Sequence, residues 1–366
     1  MKQKYIIFLG LSINQIPFLQ SAKRNQFRII GVDKNSKALG RPFCDIFLNE
    51  GINEKHIIYN NFKHLNVKGA LSEQTDNGSH TVAYLNEKFQ LKGLTHKQIN
   101  IICDKLKQRR FLNTLGVNQP RYWTIKTIPD VQKKLLAKPR CGQSSIGIHF
   151  LQKNEILNSD YLYEEYIQGK DFSVDGLVSN GYFYLAWCEK IKYADSFVDK
   201  ISLASSSVPR AVKNMCGKIL DAIDANDVFF HFEFRLSRGK YFLMEMHLRG
   251  GGSGLCTFIA SYINDIDTAN IRIQMLYKTC LIPKISNIEY KRACTVFGGK
   301  REMHNLRNLL MKRFPSAKIS FNNLNKRNID KIIDCRDRES CLYICYDERI
   351  SDQLSNFLIK NVDFRI

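Results

Sequence analysis

The sequence predicts a protein of mixed α/β and α+β class, built from two or three domains. Three observations support this: a strand–helix–strand rhythm at the beginning of the chain, a β-hairpin with opposed acidic side chains near its middle, and short strands with helices beyond about residue 290. The chain has 366 residues, of which 44% are hydrophobic and 25% charged. That composition is typical of globular proteins, and the length exceeds what one compact core accommodates.

The first predicted domain covers residues 1–95 and contains a doubly wound sheet. Residues 5–9 are a continuous apolar run that ends at Gly10, which is typical of a buried parallel strand. A helix is expected to about Asn25, and residues 27–33 form a second strand that ends at Asp33. Because the Gly-x-Gly-x-x-Gly pattern is missing, a dinucleotide site at Gly10 and Asp33 is only weakly indicated. A strand at residues 67–72 and a helix at residues 81–89 complete this region.

The second predicted domain covers residues 96–285. One helix is expected from Gln98 to Leu115, since Gly116 is a typical helix end. Further on, Lys138 precedes a loop of small residues at 141–147. A Gly/Ser loop between two strands either wraps a phosphate with its backbone N–H groups or is an ordinary hairpin turn. Both interpretations remain open from the loop alone.

The hairpin at residues 230–247 carries the most informative side chains. Alternation places the phenylalanines of the first strand on one face and Glu233 on the other. A tight turn at Arg238 and Gly239 then sets Glu233 roughly opposite Glu245. Like charges that face each other destabilise a sheet, so a neutralising group such as Mg²⁺ is expected. The alternative is a hairpin with one solvated polar face.

The charge and cysteine content narrow the classes of function. The net charge is +20, and residues 92–140 hold twelve Lys or Arg against two acids. A polyanionic ligand such as a nucleotide, nucleic-acid binding, or a generally basic surface would each explain this. No nucleic-acid recognition motif is visible, so a nucleic-acid partner is not expected. The 11 cysteines form no C-x-x-C, and no apolar run reaches the length of a membrane span, so a cytoplasmic protein with reduced thiols and no membrane partner is expected.

Several motifs follow one another in the order that one family uses. Lys138-Pro139 before the Gly/Ser loop, Glu164-Glu165-Tyr166-Ile167-x-Gly, then Glu233, Glu245 and Arg249-Gly250-Gly251 resemble the ATP-grasp superfamily of carboxylate-amine ligases. The resemblance spans roughly residues 5–285. It implies an ATP-grasp fold, with a lid subdomain at about 120–185, preceded by a Rossmann-like pre-ATP-grasp domain and followed by a small C-terminal α+β extension at residues 286–366.

The resemblance also implies where ATP binds. Lys105 and Lys138 would contact the phosphates, with residues 142–147 as the flexible loop over them. Residues 164–167 would hold adenine through the backbone, and Asp171 would bind the ribose hydroxyls. The nucleotide-binding positions so implied are Lys105, Lys138, Gly142, Ser144, Ser145, Gly147, Glu164, Glu165, Tyr166, Ile167 and Asp171.

The metal site and the catalytic residues follow from the same resemblance, with one departure. Glu233, Glu245 and His247 would hold Mg²⁺, while Arg249 and Lys138 would be catalytic. The family usually has Glu-x-Asn where this chain has Glu245-Met246-His247. Imidazole suits Mg²⁺ less well than an amide oxygen. Three outcomes are open: His247 turns away, it binds Mn²⁺ or another transition metal alongside His231, or the site is degenerate.

The resemblance implies an ATP-dependent ligase that joins small-molecule carboxylate and amine substrates through an acyl phosphate. The alternative is an ATP-binding module that has lost catalysis, since His247 replaces the usual Asn. The segment around Asp195 resembles the part placed over the acceptor substrate, and Lys190 is either a contact there or a solvated lysine on a hairpin. An acidic sugar or amino acid would match the basic surface. Dimerisation is common in the family, so a homodimer is one expected assembly.

Overall fold

The computed structural model describes residues 3–73, 75–125, 134–142, 145–193, 196–252, 254–278, 291–323 and 340–362. Within these residues the strands form three sheets: a four-stranded parallel sheet near the N-terminus, a small four-stranded sheet, and a central sheet of eight strands. The chain is thus α/β at its beginning and α+β afterwards, as predicted. No helix within the described ranges has both the length and the apolar composition that crossing a membrane requires.

The N-terminal sheet is parallel and has the strand order β3-β2-β1-β4. Its strands are β1 (Tyr5–Leu9), β2 (Arg28–Val32), β3 (Ile46–Leu48) and β4 (Val67–Leu71). The connecting helices are α1 (Ile16–Arg24), α2 (Lys55–Phe62) and α3 (Asp76–Phe89). This confirms the doubly wound prediction, although α3 begins five residues before the expected Thr81. The Asp33 carboxylate accepts hydrogen bonds from the backbone N–H groups of Leu11 and Asn35, so it supports its own loop.

The long helix expected from Gln98 to Leu115 is in fact two helices. They are α4 (His96–Ile102) and α5 (Lys105–Thr114). Asp104 is extended, with φ −127° and ψ 112°, and its carboxylate accepts hydrogen bonds from the N–H groups of Leu106 and Lys107. An aspartate in this position starts a new helix, because its side chain satisfies backbone donors that no preceding turn can reach.

The small sheet has the order β5-β8-β6-β7 and carries the loop at residues 141–147. Its strands are β5 (Tyr122–Trp123), β6 (Leu135–Pro139), β7 (His149–Phe150) and β8 (Tyr161–Glu165). β6 pairs antiparallel with both β7 and β8, so the loop between β6 and β7 lies at one end of this sheet.

The central sheet has the order β13-β12-β9-β10-β11-β14-β16-β15. Its strands are β9 (Lys170–Val178), β10 (Tyr182–Lys192), β11 (Asp199–Ser205), β12 (Val228–Ser237), β13 (Lys240–His247), β14 (Lys291–Gly298), β15 (Lys318–Asn323) and β16 (Ser340–Asp347). The helices beside it are α6 (Arg210–Ala222), α7 (Ala260–Asn264), α8 (Thr268–Met275), α9 (Lys300–Arg313) and α10 (Ser351–Asn361). The short strands predicted beyond about residue 290 are present as β14, β15 and β16, and they continue the central sheet rather than form their own. The predicted boundary at 285/286 lies outside the described residues.

The hairpin of β12 and β13 has the predicted turn and one irregularity. Arg238 and Gly239 have φ values of 47° and 73°, which is typical of a type I′ turn. Near the turn Phe234 pairs with Leu243, but one step further Glu233 pairs with Glu245, so Met244 is a bulge. Phe230, Phe232 and Phe234 are all buried in one core cluster, so the opposite face presents its side chains to the cavity described next.

Candidate functional site

A cavity of about 340 Å³ lies on the polar face of the β12–β13 hairpin. It brings together residues that are far apart in the sequence and come from all three sheets or their loops. The predicted site residues that line it are Lys105, Lys138, Gly142, Ser145, Asp171, Glu233, Glu245, His247 and Arg249. The lining does not include Gly147, Glu164, Glu165, Tyr166 or Ile167. Ser144 lies outside the described residues, as does Asp195.

Glu233 and Glu245 are neutralised by the protein's own cations. Lys190 Nζ lies 2.8 Å from Glu233 Oε1, and Lys105 Nζ lies 3.0 Å from Glu245 Oε1. His231 Nε2 approaches Glu233 Oε1 at 3.3 Å. The expected neutralisation is therefore present, but side chains provide it, so the opposed charges alone do not require a metal ion.

The electrostatics of this pair follow from burial and close cations. Burial alone would raise the pKa of Glu233, but Lys190 and His231 hold that pKa well below its ordinary value. Burial alone would lower the pKa of His231, but Asp175 and Glu233 raise it to about 9. Lys190 is only 8% exposed, so the solvated-lysine interpretation is wrong: it is buried between Glu233 and Asp199.

The donor set fits Mg²⁺ only in part. Within the described parts of the chain, no three His, Cys, Asp or Glu side chains form a cluster that could hold a metal ion by themselves. Mg²⁺, however, is usually bound through one or two carboxylates together with substrate phosphates and water. Glu233 and Glu245 line one cavity with oxygen donors, which fits that pattern. His247 does not add to it, because its Nδ1 lies 3.2 Å from Asp76 and its Nε2 3.6 Å from Glu245.

Lys138 belongs to a buried triad with Glu164 and Arg109. Lys138 Nζ lies 2.6 Å from Glu164 Oε2, and Arg109 Nε donates to Glu164 Oε1 at 2.6 Å. The Glu164 side chain is fully buried. Burial alone would raise the pKa of Glu164, but Arg109 and Lys138 lower that pKa to about 2. Burial lowers the pKa of Lys138. Glu164 therefore acts as the anchor that sets Lys138 at the cavity wall.

In the segment expected to hold adenine, side chains already contact other residues of the protein. Glu165 accepts hydrogen bonds from the backbone N–H of Arg121 at 3.1 Å and from Nε of the same residue at 2.9 Å. Tyr166 packs against Phe150, with ring centroids 5.2 Å apart. The carbonyl of Ile167 accepts a hydrogen bond from Arg235. Contact of this segment with adenine stays a prediction.

Asp171, expected at the ribose, is fully engaged with basic side chains. Arg235 donates to both of its carboxylate oxygens at 2.6 and 2.9 Å, and Lys192 Nζ lies 2.6 Å away. Burial alone would raise the pKa of Asp171, but Lys192 and Arg235 lower that pKa. Because a bidentate pair of this kind is strong, a ribose hydroxyl would have to compete with two cations for this carboxylate.

Arg249 and the two glycines after it each donate a hydrogen bond to a different carboxylate. Arg249 Nε donates to Asp76 Oδ1 at 2.6 Å, Gly250 N–H donates to Glu73 at 2.8 Å, and Gly251 N–H donates to Asp175 at 2.8 Å. The N–H groups of Gly250 and Gly251 are therefore already engaged. Of the three glycines, Gly252 is the one that lines the cavity.

Four residues at this site had no role in the sequence-based prediction: Glu73, Asp76, Arg109 and Asp175. Each forms an ion pair or, in the case of Glu73, a hydrogen bond with a predicted site residue or its neighbour. Their partners lie 55 to 177 residues away along the chain, and no local pattern marks them. Only the acidic residue at the start of α3 has a local explanation, since carboxylates are favoured at helix N-termini.

Comparisons with known proteins identify the fold of this chain. The family model of the ATP-grasp domain matches residues 143–257. The L-amino acid ligase of Bacillus licheniformis superposes with a TM-score of 0.81 at 16% identity, over 99% of this chain and 97% of that one. N5-carboxyaminoimidazole synthetase from Staphylococcus aureus, complexed with ADP, gives 0.79 at 14% identity, over 99% and 98%. Phosphoribosylglycinamide synthetase from Anaerococcus prevotii gives 0.73 at 16%, over 99% and 98%. No curated protein sequence matches significantly.

The domain match and the fold agree on one assignment. These structures share the fold of this chain along almost their full length, at identities that show the fold alone. Residues 143–257 match the ATP-grasp domain, and the chain has the ATP-grasp fold, with a parallel-sheet domain of the pre-ATP-grasp kind before it.

Proposed function

We propose that this protein is an ATP-dependent carboxylate-amine ligase that forms an amide or peptide-like bond and releases ADP and phosphate. One observation carries the proposal. A single cavity contains the opposed carboxylates Glu233 and Glu245, the lysines Lys105 and Lys138, and Arg249. Paired carboxylates, lysines and an arginine are what transfer of a phosphoryl group between two anionic substrates needs.

The first chemical step is transfer of the γ-phosphoryl group of ATP to an oxygen of the carboxylate substrate. The bond from the γ-phosphorus to the bridging oxygen of ADP breaks, and an acyl phosphate forms. Lys105 Nζ and Lys138 Nζ, which now rest on Glu245 and Glu164, supply positive charge to the phosphate oxygens. Both lysines hold their carboxylates at 3.0 Å or less, so nucleotide binding requires them to share or exchange these partners.

Glu233 and Glu245 are the residues that would hold Mg²⁺, or Mn²⁺ in its place. The bound ion supplies Lewis-acid charge neutralisation for the triphosphate. Lys190 and Lys105, which neutralise these carboxylates in the structure, would then become available to phosphate oxygens.

The second step joins the amine to the activated carboxylate. The amine nitrogen attacks the carbonyl carbon, phosphate leaves with the bonding electron pair, and the nitrogen loses a proton. An oxyanion develops on the carbonyl oxygen, and preorganised donors stabilise it. Arg249 and the N–H of Gly252 are the available groups, since those of Gly250 and Gly251 are engaged with Glu73 and Asp175.

The loop at residues 141–147 has a contact that would help to exclude water. Ser145 Oγ donates to the carbonyl of Phe197 at 3.1 Å, which joins this loop to the segment between β10 and β11. The acyl phosphate hydrolyses if water reaches it, so closure over the cavity is required for ligation.

A phosphate-release screen of amino acids and sugar acids, with Mg²⁺ and again with Mn²⁺, tests the proposal. We expect release of ADP and phosphate that requires both a carboxylate and an amine.

The second candidate, an ATP-binding module without catalysis, is favoured by the contacts of His247 with Asp76 and Glu245. It predicts that ATP binds in calorimetry while no substrate pair produces ADP. Absence of ATP binding would contradict both candidates.

A further inference from the structure

Three consecutive residues beside the cavity each donate a hydrogen bond to a different carboxylate. The Arg249 side chain donates to Asp76. The backbone N–H of Gly250 donates to Glu73, and that of Gly251 donates to Asp175. Two of the three carboxylates come from the N-terminal domain and not from the strands that carry the rest of the cavity. Only the Asp76 contact involves a charged side chain of this segment.

The Arg249 guanidinium is anchored at two of its nitrogens. Nε donates to Asp76 Oδ1 at 2.6 Å, and Nη1 donates to the carbonyl of Gly250 at 3.1 Å. Among the described residues, Nη2 donates no hydrogen bond. The side chain is 8% exposed and lines the cavity. Two anchors on a planar group fix its plane, which leaves Nη2 as the donor for a bound ligand.

Asp76 also contacts the hairpin itself. Its Oδ1 lies 3.2 Å from His247 Nδ1, and Nε2 of the same ring lies 3.6 Å from Glu245. One carboxylate oxygen from the first residue of α3 thus contacts both Arg249 and the side chain next to a proposed metal carboxylate.

We propose that Asp76 is a positioning residue that holds the Arg249 guanidinium where it meets the transferring phosphoryl group, an inference that rests on the proposed ligase function. The N-terminal domain therefore takes part in the chemistry through α3, and not only as a scaffold. A misplacement of about 1 Å in such a group costs on the order of 100-fold in rate, so a single carboxylate in this place has a measurable effect.

The test compares the affinities for two nucleotide complexes. One complex resembles bound ATP, and the other resembles the transition state of phosphoryl transfer. Calorimetry measures the affinity for Mg²⁺ with AMP-PNP, and fluorine NMR measures the affinity for MgADP with aluminium fluoride, which mimics the transferring phosphoryl group. For Asp76→Asn we expect AMP-PNP affinity within about threefold of the unaltered protein, and aluminium fluoride affinity lower by about tenfold or more. Asp45→Asn is the matched control: it breaks a 2.6 Å ion pair with Lys23 in the same domain, away from the cavity, and leaves both affinities unchanged.

A double-mutant cycle with Arg249→Lys shows whether Asp76 acts through the arginine. We expect Asp76→Asn to add less than about twofold to the loss already caused by Arg249→Lys, because residues that act as a unit are not additive. Full additivity, or unchanged aluminium fluoride affinity in Asp76→Asn, overturns the inference. If Asp76→Asn does not fold, Asp76→Glu keeps the charge at the start of α3 and displaces the guanidinium, and the same loss is expected. Failure of the unaltered protein to bind either nucleotide complex would instead contradict the proposed function.

Discussion

Glu233 and Glu245 stand directly opposite each other only because Met244 is inserted between two regular stretches of the β12–β13 ladder. Without this bulge, the two-residue turn would pair Glu233 with position 244 and turn Glu245 toward the core. A bulge instead lets two consecutive side chains face the same side of the sheet, and Met244 and Glu245 both line the cavity. The irregularity therefore places the second carboxylate in the site.

Replacing Glu245 tests the metal assignment. For Glu245→Gln we expect ADP formation to fall by about 100-fold or more, the order found when one stabilising group of a transition state is removed. The substitution keeps the shape of the side chain but removes the charge that Lys105 and a cation would share. The control is Glu87→Gln, since Glu87 is 62% exposed and its partner is His96 outside the main cavity. Retained ADP formation in Glu245→Gln would remove this residue from the mechanism.

Two lysines one half-turn apart on α5 provide a matched pair for nucleotide binding. Lys105 lines the cavity at 12% exposure, whereas Lys107 contacts Asn100 at the surface. A charged hydrogen bond contributes about 1.5–3 kcal/mol. For Lys105→Met we therefore expect the Kd for Mg²⁺ with AMP-PNP, measured by calorimetry, to rise by roughly 10- to 100-fold. Lys107→Met is expected to bind normally. Equal affinities in both variants would contradict a phosphate contact at Lys105.

The hairpin and the order of elements were predictable because local patterns determine them. Alternating phenylalanines indicated the buried face of β12, and Arg238-Gly239 indicated a tight turn, so the proximity of Glu233 to Glu245 followed. The bulge at Met244 has no such local pattern. The break between α4 and α5 was missed, although Asp104 is a residue that starts helices.

The charged contacts of the site were not predictable for a different reason. An ion pair such as that of Asp76 with Arg249 joins residues 173 positions apart, and hydrophobic periodicity does not encode it. For the same reason the sequence did not indicate that Glu73 and Asp175 accept hydrogen bonds from the N–H groups of Gly250 and Gly251. Nine of the predicted site residues line one cavity, but the sequence did not indicate the side chains that they contact.

Two adjacent glycines are expected to differ sharply in their tolerance of a methyl group. A Cβ at Gly251 would lie 2.6 Å from both Asp175 Oδ1 and His231 Nδ1, whereas one at Gly252 would meet nothing within 4 Å. We expect Gly251→Ala to lower the free energy of unfolding by about 1–3 kcal/mol, the usual cost of overpacking. Gly252→Ala should change it little. Urea denaturation of both variants measures this, and equal stabilities would show that the Asp175–His231 pair moves freely.

Glu164 is expected to make stability depend on acidity. Arg109 and Lys138 outweigh burial and lower its pKa to about 2 in the folded protein, from an ordinary 4.5, so the unfolded chain binds the proton more tightly. Its contribution to stability is therefore complete above pH 4.5 and is lost as the pH falls toward 2. Glu164→Gln leaves two buried cations without their partner, and we expect a loss of about 3–5 kcal/mol at pH 7. Urea denaturation at pH 7 and pH 3 measures both effects. The free energy of unfolding should differ less between the two pH values in Glu164→Gln than in the unaltered protein, and the full difference should persist in Glu87→Gln. An unchanged difference in Glu164→Gln would show that this carboxylate is not the group responsible.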